Sequence, residues 1–124
     1  MSWRKLRVDF GPQSSGFVFV EHDGWVVPTF ATDWASVVTV GYLKDPFGWV
    51  CLRGQADKSS AFALPDTIFT LPSGYRPSQA VVPLVSANGG AWGEITVNTN
   101  GTVQLTQGGG TTYTSLDGIR FPSA

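Results

Sequence analysis

Short apolar runs, separated by turn-forming residues, follow one another along the chain. Val, Ile, Thr, Phe, Tyr and Trp concentrate in these runs. Gly, Pro, Asn and Asp occupy the gaps between them, roughly every 8 to 12 residues. No window shows the hydrophobic period of about 3.6 residues that an amphipathic helix requires. The pattern therefore predicts an all-β protein with the strand spacing that is typical of a sandwich or a barrel.

The individual runs predict where the strands lie. Strands are expected over residues 17–21, 25–27, 36–43, 49–53, 66–71, 79–86, 92–97, 102–106, 113–116 and 119–121. Short turns predict that 17–21 pairs with 25–27, 36–43 with 49–53, and 92–97 with 102–106. In the last hairpin, Asn100-Gly101 predicts a type I′ turn that sets residues 95–97 against residues 103–105.

Three segments lack a strand pattern. Residues up to about 15 carry no clear signal and could form a linker or an arm that docks on a neighbour. Residues 54–61 are polar and predict a loop, and the glycines at 108–110 predict a flexible connection. With 124 residues, the chain suits one compact unit, in which residues 1–33 form an arm and hairpin and residues 34–124 form the head.

Two strands are apolar on both faces. Val37-Val38 and the run at residues 49–52 leave no polar side for solvent. Such runs suit central strands that are covered twice. The second cover is either the N-terminal hairpin or another copy of the chain, and the sequence leaves both open.

Composition disfavours several classes of partner. Charged residues make up 14% of the chain, and the net charge is −1. A typical domain carries about 25% charged residues, so much of this surface is neutral or buried in an assembly. Beyond Arg4, Lys5 and Arg7 there is no basic cluster, which argues against nucleic-acid binding and a polybasic membrane anchor. The longest apolar stretch, residues 37–43, is far shorter than the roughly 20 residues of a membrane-spanning helix. We also find no signal-peptide pattern.

Candidate chemistry is sparse. The chain has one cysteine, Cys51, and one histidine, His22. Neither a disulfide within the chain nor a cysteine-based zinc site can form from them. Several of the carboxylates lie in predicted turns, and neither a nucleophile elbow nor a phosphate-binding glycine loop occurs. The sequence therefore predicts no catalytic residues, no metal site and no cofactor.

The aromatic residues offer one binding hypothesis. Most of the 5 Trp, 8 Phe and 3 Tyr must form the core. Trp92, however, lies between glycines beside a turn, where its ring could be exposed and could stack on the apolar face of a sugar. Tyr42, Trp34 and Tyr113 are weaker candidates for the same role.

Four segments in order resemble a known family. Residues 42–54 (YLKDPFGWVCLRG) are similar to the pattern Y-x-K-D-x-x-G-x-V-x-L-R-G, and residues 69–77 (FTLPSGYRP) to F-x-L-P-x-G-Y-R-P. Residues 100–103 (NGTV) and 113–121 (YTSLDGIRF) resemble D-G-x-V and W-x-S-L-D-G-I-x-F. These patterns mark the C-terminal receptor-binding domain of many tail fibre and minor tail proteins of phages and prophages. Tyr113 stands where the family commonly has Trp, Trp49 and Cys51 fill variable positions, and the N-terminal third matches no such pattern.

The resemblance implies both a fold and a function. It implies an antiparallel, jelly-roll-like β-sandwich that assembles as a homotrimer at the tip of a virion tail, after synthesis in the host cytoplasm. It also implies attachment to a host cell-surface receptor, often a saccharide, and contacts with other tail or baseplate proteins. A structural connector without receptor binding is the alternative, and a glycan depolymerase is a third and weaker hypothesis.

Overall fold

Ten strands form almost all of the regular structure in the described part of the chain. The computed structural model describes the backbone of residues 4–9, 17–22 and 24–124, and the side chains of residues 24–124. The strands are β1 (Arg4–Asp9), β2 (Phe17–His22), β3 (Trp34–Lys44), β4 (Trp49–Lys58), β5 (Asp66–Thr70), β6 (Leu84–Ser86), β7 (Trp92–Val97), β8 (Thr102–Gly108), β9 (Thr114–Ser115) and β10 (Arg120–Pro122). A single 3₁₀ turn spans Asn88–Gly90 in these residues, and no α-helix occurs in them.

The strands form two larger antiparallel sheets and a separate ribbon. The first sheet has the order β10-β4-β3, with β9 also paired to β4. The second sheet has the order β5-β8-β7-β6. Strands β1 and β2 pair with each other in a two-stranded ribbon. The expected all-β, antiparallel β-sandwich is therefore confirmed.

The core lies between the inward faces of the two larger sheets. In β4, β7 and β8 every second side chain is buried, as the period of a strand requires. Ile95 lies opposite Leu105 and Val97 opposite Val103, and all four are fully buried. The first sheet contributes Val50, Leu52 and Phe121 to the same core. The predicted register of the β7–β8 hairpin is thus confirmed.

The predicted N-terminal hairpin is wrong. Strand β2 does pair, but with β1, a strand in the segment for which no strand was predicted. The predicted return strand at residues 25–27 joins the first sheet instead: the N–H of Val26 donates to the carbonyl of Tyr42 and the N–H of Tyr42 to the carbonyl of Val26, each at 2.9 Å. His22, expected in a turn, ends strand β2, and its side chain lies outside the described residues.

The predicted polar loop at residues 54–61 is half strand. Strand β4 continues to Lys58, because its polar half pairs on one side with β3 and on the other with β9. Ala56 is fully buried in this segment. Conversely, the predicted strand at residues 79–86 is reduced to Leu84–Ser86, with an isolated bridge between Val81 and Val97. Pro83 lacks an N–H group and cannot donate to a ladder, which interrupts the pairing.

The three glycines at 108–110 form a packed corner and not a flexible connection. Gly108 belongs to β8, and the N–H of Gly109 donates to the carbonyl of Trp92 at 2.9 Å. A Cβ on Gly108 would lie 2.3 Å from that carbonyl oxygen, and one on Gly110 would lie 2.0 Å from Asn88 Oδ1. Glycine is required here because the backbones approach too closely for a side chain.

The two-sided apolar strands are divided between core and surface. Val50 and Leu52 face the core of the single chain, with 0% and 2% exposure. Trp49 and the partly buried Cys51 alternate with them on the opposite face of β4. Val37 and Val38 in β3 are half exposed. The core of the single chain therefore covers Val50 and Leu52, and the second cover that the sequence predicts would lie over Val37, Val38, Trp49 and Cys51.

Candidate functional site

The structure separates the four predicted ligand-contacting aromatics. Trp92 has 52% of its surface exposed, and Tyr113 is partly exposed. Trp34 and Tyr42 are buried, with 5% and 8% exposure. Only Trp92 and Tyr113 therefore present surface to a ligand in the single chain.

Trp34 and Tyr42 are structural residues of the first sheet. The indole Nε1 of Trp34 donates a hydrogen bond to Asp66 Oδ1 at 3.1 Å, and its ring stacks on Phe62 at a centroid distance of 5.6 Å. The ring of Tyr42 packs edge-on against Tyr75 at 5.1 Å. Burial raises the pKa of Tyr42 because the charged phenolate would lose hydration. These contacts explain both aromatics without a ligand.

Trp92 opens strand β7 on the solvent side of the second sheet. Its neighbours in β6 are Ser86, directly opposite, and Leu84, opposite Glu94. Leu84 is 71% exposed, so an aliphatic and an aromatic side chain share one open surface. We call this surface the Trp92 face, and its residues are Leu84, Ser86, Trp92, Glu94, Thr96 and Thr106.

Polar side chains on the Trp92 face hold one another in place. The hydroxyl of Thr106 donates to Glu94 Oε1 at 2.9 Å and lies 3.1 Å from the hydroxyl of Thr96. A register shift between Glu94 and Ile95 places Thr106 beside Glu94. Since a β-bulge re-aims side chains, this irregularity is what brings the carboxylate and the two hydroxyls together.

A second polar row continues the same side of the sheet. The amide of Asn98 donates to Gln104 Oε1 at 2.9 Å, and the amide of Gln104 donates to the Thr67 hydroxyl at 3.0 Å. These side chains are partly buried and already hydrogen-bonded to one another. Such groups can offer their remaining donors and acceptors to a polyhydroxylated ligand with little loss of rotamer freedom.

The Trp92 face carries a carboxylate and no described basic side chain. The Lys and Arg side chains of residues 24–124 all make contacts elsewhere: Lys44 with Gly74, Arg53 with Trp25, Lys58 with Asp66, Arg76 with Leu71 and Arg120 with Trp49. Glu94 is thus the charged residue of this face. The arrangement suits neutral hydrogen-bonding ligands with an apolar side.

The solvent side of the first sheet has the opposite character. The guanidinium of Arg53 lies 4.3 Å from the ring centroid of Trp25, and that of Arg120 lies 4.7 Å from the ring of Trp49. Cys51 lies between the two pairs, directly opposite Arg120 in the ladder. We call this surface the arginine face. Each stacked guanidinium keeps its N–H edge available for an anion.

A shallow groove lies beside the last strand. Its volume is about 370 Å³, and it is lined by residues 77–81 together with Phe121 and Pro122. Ser78 and Gln79 are its polar side chains, and it holds no charged residue. Within the described residues, no group of three or more His, Cys, Asp or Glu side chains could hold a metal ion, and no helix is long and apolar enough to span a membrane.

The fold is similar to that of a known viral protein. The crystal structure of the receptor binding protein (gp15) of Listeria phage PSA superposes with a TM-score of 0.70 and 16% sequence identity. The match covers 82% of this chain and 65% of that chain, so the present chain spans less than two thirds of it. No protein-family model matches, and no curated protein sequence gives a significant match. At this identity the likeness concerns the fold.

The sequence pointed to one residue of the Trp92 face and missed its neighbours. Glu94 and Thr96 follow Trp92 at intervals of two, so strand periodicity alone places them on the same side. Leu84 and Thr106 could not be found in this way. They reach the face through strand order and through the bulge at Glu94, which depend on the whole sheet.

Proposed function

We propose that this chain is a receptor-binding head domain of a phage tail fibre or related tail protein, and that it attaches the virion to a host cell-surface saccharide through the Trp92 face. The observation that carries the proposal is the half-exposed Trp92 beside the exposed Leu84 and a pre-ordered row of hydroxyl and carboxylate groups. The fold likeness to a phage receptor binding protein supports the viral part of the proposal.

The chemistry of the face suits a sugar ring. One side of many pyranose rings presents C–H groups, which can lie flat on an exposed indole, while the hydroxyls around the rim need donors and acceptors. Thr96, Thr106 and Glu94 provide such groups next to Trp92. Because they already hydrogen-bond to one another, little conformational entropy is lost when the ligand binds.

The proposal includes assembly as a homotrimer at the tail tip, in contact with other tail or baseplate proteins. A single shallow face of this kind binds weakly. Three copies on one tip could raise the overall affinity by roughly 10²-fold or more without any new contact. The exposed Val37 and Val38 on edge strand β3 are the surface that we assign to contacts between copies.

We further propose that the domain binds without catalysis. Glycoside hydrolysis commonly uses a pair of carboxylates on either side of the scissile bond. The described residues of the Trp92 face supply one carboxylate, Glu94, and that group accepts a hydrogen bond from Thr106.

The test is binding of the purified full chain to a glycan array and to intact host cells. Trp92→Ala is expected to abolish saccharide binding while leaving the melting temperature nearly unchanged, because the ring is half exposed. Trp49→Ala is the matched control: it removes a tryptophan that is 37% exposed on the opposite sheet. If Trp92→Ala binds as well as the wild type, the assigned face is wrong.

The alternative of a structural connector makes a different prediction in the same experiment. The exposed valines on β3 favour protein contacts and would serve a connector equally well. In that case the wild-type chain binds neither glycans nor cells, but still forms oligomers or captures another tail protein.

A further inference from the structure

The two solvent-facing sheet surfaces differ in charge. The Trp92 face has the Glu94 carboxylate and no described cation. The arginine face has Arg53 and Arg120, and neither guanidinium forms an ion pair with a described residue. Each therefore favours a different class of ligand.

We propose that the Trp92 face selects uncharged saccharides and disfavours phosphate- or carboxylate-bearing polymers. This inference rests on the function proposed above and adds the chemical class of the receptor. It gives Glu94 a second role: besides any hydrogen bond to the sugar, its negative charge determines which class of saccharide binds.

The selection follows from the position of Glu94. Its backbone lies two residues from Trp92 in the same strand, so a sugar stacked on the indole extends over the carboxylate. Thr106 holds that carboxylate in place through a hydrogen bond to Oε1. A phosphate or carboxylate on the ligand would meet a like charge, and the described lysines and arginines of residues 24–124 make their contacts elsewhere and do not offset it.

The arginine face shows what an anion site in this chain would require. Guanidinium groups match the oxygen geometry of phosphate and carboxylate, and stacking on Trp25 and Trp49 fixes their orientation. That face lies on the other sheet. The charge of a ligand therefore determines whether it binds to the Trp92 face or to the arginine face.

The experiment compares matched glycans that differ only in charge. The full chain is titrated with neutral oligosaccharides from the array and with their phosphorylated or carboxylated counterparts, at low and at physiological salt. We expect the neutral member of each pair to bind at least about fivefold more tightly, the factor expected for two like charges about 4 Å apart in water. Raising the salt concentration should reduce the difference, because salt screens exposed charges.

Two variants test whether the charge of Glu94 causes the preference for neutral glycans. Glu94→Gln removes the charge but retains an oxygen acceptor for Thr106, so the ratio of neutral to anionic affinity is expected to fall by about fivefold. Trp92→Ala is expected to lose both classes. Melting temperatures of the variants show whether they remain folded.

Failure of the inference differs from failure of the proposed function. The inference is overturned if anionic glycans bind more tightly than neutral ones, if Arg53→Gln or Arg120→Gln abolishes this binding, and if Trp92→Ala retains it. That result leaves receptor binding intact. Equal binding of both members of a pair, unchanged by Glu94→Gln, also overturns it. Absence of binding to every glycan and to host cells contradicts the proposed function itself.

Discussion

Gly54 shows why the glycine at the end of the first motif is required. Its φ is +99°, and a Cβ there would lie 2.4 Å from the carbonyl oxygen of Thr39. Its N–H donates to Asp117 Oδ1 at 2.8 Å, and its carbonyl accepts from the N–H of Leu116 at 2.8 Å. The first and last motifs of the sequence are therefore joined at this one residue, in a structural role.

Gly54→Ala is expected to destabilise the protein by about 2 kcal/mol or more, from positive φ together with steric overlap. Gly74→Ala is the control, because Gly74 also has a positive φ of 92° but no atom lies within 4 Å of the place that an alanine methyl group would take. Chemical denaturation of both variants should show the larger loss at residue 54. Equal losses would mean that backbone conformation alone explains the glycine.

Asp66 is the buried carboxylate that ties β5 to the first sheet. Burial alone would raise its pKa. Hydrogen bonds from Lys58, Trp34 and the N–H of Ala63, with the charge of Lys58, outweigh that effect and hold the pKa of Asp66 below its ordinary value of 3.8. The distance from Lys58 Nζ to Asp66 Oδ2 is 2.6 Å.

This lowered pKa predicts a loss of stability in acid. The contribution of Asp66 is fully present above its unfolded-state pKa of 3.8 and is lost as the pH falls from there through the lower folded-state value. We expect Asp66→Asn to be less stable than the wild type at pH 7 and to show a smaller loss between pH 5 and pH 2. Denaturation midpoints across that range test the prediction, and parallel curves would contradict it.

At the scale of elements, the β7–β8 loop has the predicted register but a different turn. The N–H of Gly101 donates to the carbonyl of Asn98 at 2.9 Å, and that of Asn98 to the carbonyl of Thr102 at 3.0 Å. Gly101 has a φ of +91°, whereas Asn100 does not have positive φ. A type I′ turn needs positive φ at both central residues, so this loop is a type I turn followed by a glycine bulge.

Gly101→Val is expected to destabilise the hairpin by more than about 1 kcal/mol. Its Cβ would lie 2.4 Å from the carbonyl oxygen of Leu71 and 2.7 Å from Arg76 Nε. Asn100→Gly separates the two turn types. It would favour a type I′ turn, but in the observed loop it removes the hydrogen bonds that the N–H and hydroxyl of Thr102 donate to Asn100 Oδ1, and it should destabilise slightly. The melting temperatures of the two variants decide between the type I′ turn and the type I turn with a glycine bulge.

Sequence patterns predicted the elements whose pairing is local and failed where pairing is distant. The β3–β4 and β7–β8 hairpins follow from alternation and short turns. Residues 55–58 pair with β3, and residues 55 and 56 also pair with β9, about 60 positions along the chain. A polar strand of this kind looks like a loop until its partners are known. The same reason separates Trp92 from Trp34: only the packed sheets decide which ring is buried.

At the scale of the whole molecule, strand β3 presents an apolar edge that the described residues leave uncovered. Strand β3 lies at the end of the first sheet, and residues 35–39 are all exposed there, Val37 to 50% and Val38 to 53%. Exposed apolar edge strands are unusual in monomers because they invite pairing with another chain. We therefore expect a homotrimer in which this edge is covered by neighbouring copies.

Light scattering at micromolar concentration tests the assembly. A mass near three times 13.3 kDa supports the trimer, and a mass near 13.3 kDa rejects it.

Val38→Asp should yield a folded monomer, because the side chain is half exposed in the single chain and the core residues Val50 and Leu52 are untouched. Leu84→Asp is the control: it places the same charge on a residue that is 71% exposed on the Trp92 face and should leave the trimer intact. If both variants remain trimeric, the interface lies elsewhere. The remaining outcome is that Val38→Asp alone dissociates, no longer binds cells and still binds a soluble glycan weakly. In that case the avidity of the trimer, assembled through this edge, is what allows a shallow saccharide-binding face to attach the virion.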